Sequence, residues 1–226
     1  MGSRVTACDG ISEIPPSSAV CVLIMSFQSQ YAQQRQNIRN LIRQRRRALS
    51  PEQQHDFALQ IADRIAAHPR ILAAQSVAVF LSFDGELDTG PSIERLWRQG
   101  LQVYLPVLHP FSAGNLLFLR YTPDTLLVNN RFNILEPQLD VRHVLPVGEL
   151  DVVLTPLVAF DSAGQRLGMG GGFYDRTLQN WQLTGLYPIG LAHDCQQVEK
   201  VPVEHWDIPL PEIITPSQNW VWREQE

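Results

Sequence analysis

Apolar side chains recur at helical spacing from residue 31 onward and predict two amphipathic helices ahead of the first strand. Over residues 31–49 the apolar positions share one side of the helix, and arginines occupy the other side. Ser50 and Pro51 then have the pattern of an N-cap followed by proline in the first turn, which begins a second helix that runs toward Pro69. The basic stripe predicted for the first helix consists of Arg35, Arg39, Arg43, Arg46 and Arg47.

Short continuous apolar runs further along the chain predict buried strands of a parallel sheet. These runs lie at residues 77–81, 101–105, 152–154 and 186–192. Helical spacing over residues 91–99 and 173–181 predicts one helix between the first two runs and another before the last. The alternation predicts an α/β fold: a three-layer domain whose mostly parallel sheet has helices on both faces.

The first 26 residues differ from the rest of the chain because they have no periodic apolar face. The apolar run at residues 20–25 is too short to span a bilayer. Acidic residues and a pair of prolines separate it from Arg4, which is unlike the basic start of a secretory signal. We therefore expect a poorly structured extension over residues 1–26 and a single α/β domain over residues 27–226.

Composition narrows the classes of partner. Lys and Arg number 18 against 23 Asp and Glu, so the net charge of −5 disfavours general binding to nucleic acid or to an anionic membrane. The three cysteines are an odd number without CxxC spacing, which argues against a disulfide framework and against a zinc knuckle. A reducing cytoplasm is the compartment that this pattern favours.

A cluster of glycines carries the main chemical signal. Five of the 14 glycines fall between residues 164 and 172, ahead of a predicted helix, where their backbone N–H groups could converge on an anion. Arg166 and Arg176 add guanidinium groups that suit phosphate oxygens. The segment predicts a phosphate-binding loop, with a glycine-rich surface turn as the alternative. It has neither the Gly-Lys-Ser/Thr of a Walker A loop nor the spacing of a dinucleotide-binding loop.

The string DSAGQRLGMGGGFYDR at residues 161–176 closely resembles the signature of the 5-formyltetrahydrofolate cyclo-ligase family. The basic residues at 35–39 resemble the N-terminal helix of that family, although Arg35 stands where the family usually has Lys. Residues 85–89 (GELDT) resemble another of its conserved stretches. Shorter resemblances occur at residues 136–137, 195–196, 206–207 and 213–215, so the likeness covers roughly residues 31 to 216.

The resemblance implies an ATP- and Mg²⁺-dependent ligase of folate metabolism. Such an enzyme phosphorylates the formyl oxygen of 5-formyltetrahydrofolate, and nitrogen 10 then closes the ring to give 5,10-methenyltetrahydrofolate, ADP and phosphate. The expected partners are ATP, Mg²⁺ and the folate, with or without a polyglutamate tail. A cytoplasmic monomer that binds neither nucleic acid nor membrane is expected.

The resemblance also implies roles for particular residues. Catalytic roles fall to Arg166, Tyr174 and Asp175, with Asp175 also the expected Mg²⁺ ligand. Substrate contacts fall to Glu86, Thr89, Tyr174 and Gln196. The expected ATP contacts are Arg35, Arg39, Arg166, Gly168, Met169, Gly170, Gly171, Gly172, Phe173, Tyr174, Asp175 and Arg176.

Two other classes of protein stay open on the sequence. An α/β domain of this outline also serves sugar-phosphate isomerases and coenzyme A transferases, which use phosphorylated substrates without ATP turnover. A non-catalytic folate- or nucleotide-binding protein is the second alternative. An RNA-binding role for residues 43–47 is disfavoured because no aromatic residues alternate with the arginines.

Overall fold

The computed structural model describes the backbone of residues 18–222 and the side chains of residues 30–222. The helices are α1 (Ser18–Arg47), α2 (Pro51–Ala66), α3 (Pro69–Leu72), α4 (Gly90–Arg98) and α5 (Phe173–Leu178). The strands are β1 (Ser76–Ala78), β2 (Gln102–Leu108), β3 (Leu116–Arg120), β4 (Leu127–Asn129), β5 (Leu135–Pro137), β6 (Val144–Leu145), β7 (Val152–Pro156), β8 (Ala159–Phe160), β9 (Arg166–Leu167), β10 (Tyr187–Leu191), β11 (Glu212–Ile214) and β12 (Asn219–Val221).

Eight of these strands form one mixed sheet in the order β12-β11-β10-β7-β1-β2-β3-β6. The five central strands, from β11 to β2, are parallel to one another, and antiparallel pairs complete both edges. The predicted α/β fold with a mostly parallel sheet is therefore confirmed. The β4–β5 and β8–β9 hairpins lie outside this sheet.

Alternation along the central strands gives the sheet two apolar faces. Val77 and Val79 pack with the buried residues of α2, α3 and α4, whereas Ala78 faces the opposite side. That opposite side is covered by α5, by the short turn at Trp181–Leu183 and by loops. The second helical layer is thus thinner than the sequence predicts, because α5 ends at Leu178 rather than at residue 181.

The first two helices follow the predicted pattern, with one difference in length. Ser50 caps α2 through a reciprocal pair of hydrogen bonds with Gln53, and Pro51 occupies its first turn. Helix α1 begins at Ser18, well before residue 31, and no glycine or proline interrupts residues 18–47. The backbone of residues 18–26 is therefore helical, while residues 1–17 lie outside the described residues. The domain boundary after residue 26 stays a prediction.

Within residues 18–222 no helix combines the length and the apolar character that crossing a membrane requires.

Helix α1 packs at the carboxyl edge of the sheet instead of on either face. Ile38 and Ile42 contact the β8–β9 hairpin through Val158, Ala159 and Leu167. The arginines of α1 are thereby held close to the loops that follow the parallel strands. In open parallel sheets this edge is where ligands bind.

Replacing Gly190 with alanine is expected to destabilise the fold by about 1–3 kcal/mol, because overpacking a filled core costs that much. A Cβ atom at Gly190 in β10 would lie 2.8 Å from side-chain atoms of Leu157, Leu210 and Ile213. Denaturant unfolding measures the change. Gly185→Ala is the matched control because a Cβ atom there meets no atom within 4 Å, and equal stability losses in both variants would contradict the packing argument.

Candidate active site

A cavity of about 400 Å³ opens at the carboxyl edge of the sheet. Its wall combines Glu86 from the segment after β1, residues of β2, the β4–β5 hairpin and the loop between β9 and α5. Apolar side chains form most of this wall, with a few polar groups between them, which is the composition of a typical small-molecule site.

The glycine cluster is divided between two turns. The segment before it is not one strand running into the loop, because β8 turns back at Gly164 and pairs with β9. Gly168 to Gly172 then connect β9 to α5, and four of these five residues line the cavity: Gly168, Met169, Gly171 and Gly172. Gly170 and Gly172 have φ of 104° and 64°, a conformation that other residues rarely adopt. This glycine loop, residues 168–172, therefore presents backbone to the cavity.

Arg166 and Asp175 form a buried ion pair beside the glycine loop. Arg166 is only 3% exposed, and its Nη2 donates to Oδ1 of Asp175 at 2.6 Å. The same carboxylate oxygen accepts from the backbone N–H of Ile208 at 3.2 Å. Burial lowers the pKa of Arg166, and the negative charge of Asp175 opposes that effect. Within the described residues its Nε has no hydrogen-bond partner, so the guanidinium retains a free donor.

Glu86 lines the same cavity and lies in the turn that follows β1. Asp84 and Gly85 have positive φ and reverse the chain so that the carboxylate of Glu86 reaches the cavity wall. Its Oε2 accepts from the backbone N–H of Phe83 at 3.2 Å. Burial raises the pKa of Glu86 to about 7, although the positive charge of Arg46 works in the opposite direction. This acid therefore changes protonation near neutral pH.

Two aromatic residues of α5 complete the wall between these charges. Burial, with a smaller contribution from the negative charge of Glu86, raises the pKa of Tyr174 well above its usual range. Its phenol is therefore a proton-bearing donor at neutral pH. Phe173 meets Phe132 of the β4–β5 hairpin edge-on, with ring centroids 6.1 Å apart. The cavity thus offers apolar ring surface beside three acids, Glu86, Glu136 and Asp175, and one guanidinium, that of Arg166.

Three arginines that were predicted to contact ATP, Arg35, Arg39 and Arg176, do not line the cavity. Arg35 donates two hydrogen bonds to the carboxylate of Asp207. Arg39 donates from Nε to the carbonyl oxygen of Gly168 at 3.0 Å. Arg176 donates to the carbonyl oxygens of Gly114 and Gly171. Arg39 and Arg176 thus supply donors to backbone carbonyls of the glycine loop, whereas Arg35 is engaged by Asp207.

Thr89 and Gln196 also do not line the cavity. The hydroxyl of Thr89 is buried and donates to the carbonyl oxygen of Phe80 at 2.6 Å. The buried amide of Gln196 donates to the carbonyl oxygens of Leu157 and Val158 and accepts from the backbone N–H of His193. The side chains of Thr89 and Gln196 thus form hydrogen bonds with backbone groups near the cavity. The structure gives no support for direct substrate contacts by these two residues.

The β4–β5 hairpin and Arg46 belong to the surroundings of the cavity, although the sequence pattern did not predict a role for either of them. Glu136 lines the cavity, and its Oε2 accepts from the side chain of Asn130 at 3.0 Å and from the backbone N–H of Leu108 at 3.1 Å. The family resemblance includes residues 136–137 but implies no function for them. Arg46 is 1% exposed and faces Glu86. Arg46 is four residues after the buried Ile42, and this spacing, which places both on one face of α1, is the signal that could have marked it.

The residues that could hold a metal ion are few. Within the part of the chain that the structure describes, no group of three His, Cys, Asp or Glu side chains is arranged to hold a metal ion. Asp175 contributes one carboxylate to the cavity, and its Oδ1 is already engaged by Arg166. Mg²⁺ often binds through one or two carboxylates together with substrate phosphates, so this donor set fits an ion that arrives with a nucleotide.

Comparisons with known proteins show which family the chain resembles in sequence and in fold. The 5-formyltetrahydrofolate cyclo-ligase of Escherichia coli (strain K12) is 68% identical over 182 residues, which cover 80% of this chain and all of the relative. The protein of the same name from Haemophilus influenzae is 53% identical over 182 residues, covering 80% of this chain and 97% of the relative. The solution structure of 5,10-methenyltetrahydrofolate synthetase from Aquifex aeolicus superposes with a TM-score of 0.72 at 25% identity, covering 85% of this chain and 94% of that one. Residues 31–216 match the model of the 5-formyltetrahydrofolate cyclo-ligase family, and the chain belongs to that family of enzymes.

Proposed function

We propose that this enzyme converts 5-formyltetrahydrofolate to 5,10-methenyltetrahydrofolate with the hydrolysis of ATP to ADP and phosphate. The observation that carries the proposal is the convergence of Glu86 with the Arg166–Asp175 pair and the glycine loop on one cavity, although Glu86 lies far from these residues in the sequence. A phosphate-binding loop and a buried acid beside aromatic rings are the two half-sites that this reaction needs.

The chemistry requires activation of the formyl group. A formamide carbonyl is a poor electrophile, and its oxygen is a poor leaving group. Transfer of the γ-phosphoryl group to that oxygen creates a phosphate leaving group, and nitrogen 10 then attacks the formyl carbon, closes the ring and expels phosphate. Phosphoryl transfer demands in-line positioning and neutralisation of charge more than covalent participation by the protein.

The glycine loop and Arg166 supply the phosphate half-site of the proposal. Backbone N–H groups of residues 168–172 would donate to phosphate oxygens, and the Nε donor of Arg166 would add a charge-assisted hydrogen bond. Arg39 and Arg176 support this half-site by holding the carbonyl oxygens of the loop away from the phosphates. Asp175 would hold Mg²⁺ with the nucleotide, and the ion would neutralise phosphate charge.

The acid and the rings supply the folate half-site. Ionised Glu86 would accept hydrogen bonds from the amino and ring N–H groups of the pterin, and the phenol of Tyr174 would donate beside it. Thr89 and Gln196 serve this half-site as positioning residues, because their hydrogen bonds fix the backbone of the cavity wall.

An absorbance assay tests the proposed reaction. The purified chain is mixed with 5-formyltetrahydrofolate, ATP and Mg²⁺, and the near-ultraviolet absorbance of the methenyl product is followed together with the release of ADP. Product formation that needs ATP is the expected result. Saturable folate binding without a new absorbance would indicate a non-catalytic binding protein, and product formation without ADP release would contradict ATP-dependent activation.

The proposal also includes the compartment and the oligomeric state of the enzyme. The odd number of cysteines without CxxC spacing supports a reducing cytoplasm. One chain provides both half-sites, so a monomer suffices for the reaction.

A further inference from the structure

Arg46 is a buried cation that no part of the proposed chemistry uses. It lies in the last turn of α1 and is 1% exposed. Its Nη2 is 3.7 Å from Oδ2 of Asp84, and its Nη1 is 3.9 Å from Oε1 of Glu86. Within the described residues, Nε and Nη1 have no hydrogen-bond partner. A buried guanidinium with unsatisfied donors is costly, so this arrangement calls for a reason.

Asp84 does not provide that reason, because two other arginines neutralise it. Arg43 donates from Nε to Oδ2 of Asp84 at 2.6 Å, and Arg47 donates from Nη2 to Oδ1 at 2.8 Å. Burial alone would raise the pKa of Asp84, but these hydrogen bonds hold it below its usual range. Glu86, in contrast, has no cationic partner other than Arg46 among the described residues.

The groups that face Glu86 come from four segments of the chain. Its own turn contributes the backbone N–H of Phe83 and the negative charge of Asp84. Helix α5 contributes Tyr174, which is neutral at neutral pH. His193, in the segment after β10, lies against the backbone of residues 85 and 86, and burial lowers its pKa to about 4, so it is also neutral. Arg46 from α1 is the cation at ion-pairing distance among the described residues.

We propose that Arg46 is a positioning residue that holds the Glu86 carboxylate ionised and aimed at the folate. This inference rests on the proposed function, because it assigns Glu86 to the pterin. The long contact suits the role: a charge 3.9 Å away stabilises the anion but leaves both carboxylate oxygens able to accept hydrogen bonds from a substrate. A bidentate ion pair, such as the one between Arg35 and Asp207, would occupy them.

Arg46→Met removes the charge at nearly the same length, and Arg46→Lys restores it. The matched control is Arg47→Met, because Arg47 contacts Asp84 but not Glu86 and is 65% exposed. We expect the acidic limb of the pH profile of kcat/KM for 5-formyltetrahydrofolate, at saturating ATP, to move up by about one pH unit or more in Arg46→Met. A one-unit rise in the pKa from about 7 lowers the ionised fraction at pH 7 about fivefold. The Lys variant and the control should keep the wild-type limb, and the KM for ATP should not change.

Carbon NMR titration of ¹³C-labelled glutamate carboxyls, assigned with Glu86→Gln, gives a second readout in the substrate-free protein. Its expected result is a pKa of Glu86 that rises in Arg46→Met and not in Arg47→Met. If Arg46→Met does not fold, Arg46→Gln replaces it, since glutamine keeps donors near Asp84 but carries no charge.

The experiments distinguish a failure of the role of Arg46 from a failure of the assignment of Glu86 to the pterin. If Glu86→Gln abolishes folate turnover but the pKa of Glu86 and the acidic limb stay at their wild-type values without the Arg46 charge, the role of Arg46 alone is overturned. An equal shift of the limb in the Arg47→Met control overturns it as well. If Glu86→Gln leaves kcat/KM for the folate unchanged, the assignment of Glu86 to the pterin fails and the role of Arg46 falls with it.

Discussion

Replacing Glu86 with glutamine is expected to lower kcat/KM for 5-formyltetrahydrofolate by about thirtyfold or more, while the KM for ATP stays within twofold of wild type. The substitution keeps the size of the side chain but removes the charge that accepts hydrogen bonds from the pterin. Loss of charge-assisted hydrogen bonds of this kind costs roughly 2 kcal/mol of transition-state binding. Steady-state kinetics with each substrate varied in turn measures both quantities.

The stability of the same variant relative to wild type is expected to increase as the pH rises from 5 to 8. Burial raises the pKa of Glu86 in the folded protein to about 7 from 4.5, so its stabilising contribution is complete below pH 4.5 and is lost as the pH rises through 7. A difference of this size corresponds to about 3 kcal/mol, and glutamine stays neutral at every pH. Denaturant unfolding at pH 5 and pH 8 compares the two proteins.

Glu94→Gln is the matched control for both measurements, because Glu94 is an exposed acid on α4 that pairs with Arg98. It should change neither kcat/KM nor the pH dependence of stability. A Glu86→Gln protein that keeps wild-type kcat/KM would remove Glu86 from the site. Equal stability losses at both pH values would show that the carboxylate is not buried as described.

Replacing Arg166 with methionine is expected to lower kcat/KM for ATP by roughly ten- to a hundredfold, with kcat reduced as well. One charge-assisted contact to phosphate is worth about 1.5–3 kcal/mol, which corresponds to that range. Folate affinity, measured by equilibrium binding without ATP, should change much less, because Arg166 belongs to the phosphate half-site. Comparison of the loss in kcat/KM for ATP with the change in folate affinity tests whether Arg166 acts on the phosphate.

Folding must be controlled separately for this variant. Removing Arg166 leaves the carboxylate of Asp175 without the cation that is 2.6 Å from it, so the single variant is expected to lose stability. The double variant Arg166→Met with Asp175→Asn removes both charges and should recover part of that stability without recovering ATP use. Wild-type kinetics for ATP in a folded Arg166→Met protein would exclude a phosphate-binding role for this loop.

Some parts of this molecule follow directly from local pattern. The apolar runs at residues 77–81 and 152–154 overlap β1 and β7, because strands covered on both faces are mostly apolar. The N-cap at Ser50 depends on neighbouring residues alone and was predicted correctly. The glycine loop was located because backbone with positive φ needs glycine wherever it occurs.

Other parts depend on tertiary partners that no local pattern contains. The arginines of α1 have nearly the same spacing, yet Arg43 meets a carboxylate, Arg39 meets a backbone carbonyl and Arg46 is buried. The β4–β5 hairpin was missed because its strands are three residues each and largely exposed, so they show no apolar run. The resemblance implies substrate contacts for Thr89 and Gln196, and this stays a prediction; only the structure gives their hydrogen-bond partners, which are backbone carbonyl oxygens.

Helix α1 joins segments that are synthesised at very different times. Its contacts reach 41 residues along the chain from Arg43 to Asp84, 129 from Arg39 to Gly168 and 172 from Arg35 to Asp207. The helix leaves the ribosome before these partners, and Asp207 leaves last among them. Long-range contacts of this kind form slowly, because the loop entropy is lost before the contact is gained. A nascent chain that stops before residue 207 therefore has α1 without its full docking surface, although the residues that line the cavity, the last of which is Asp175, have already been synthesised.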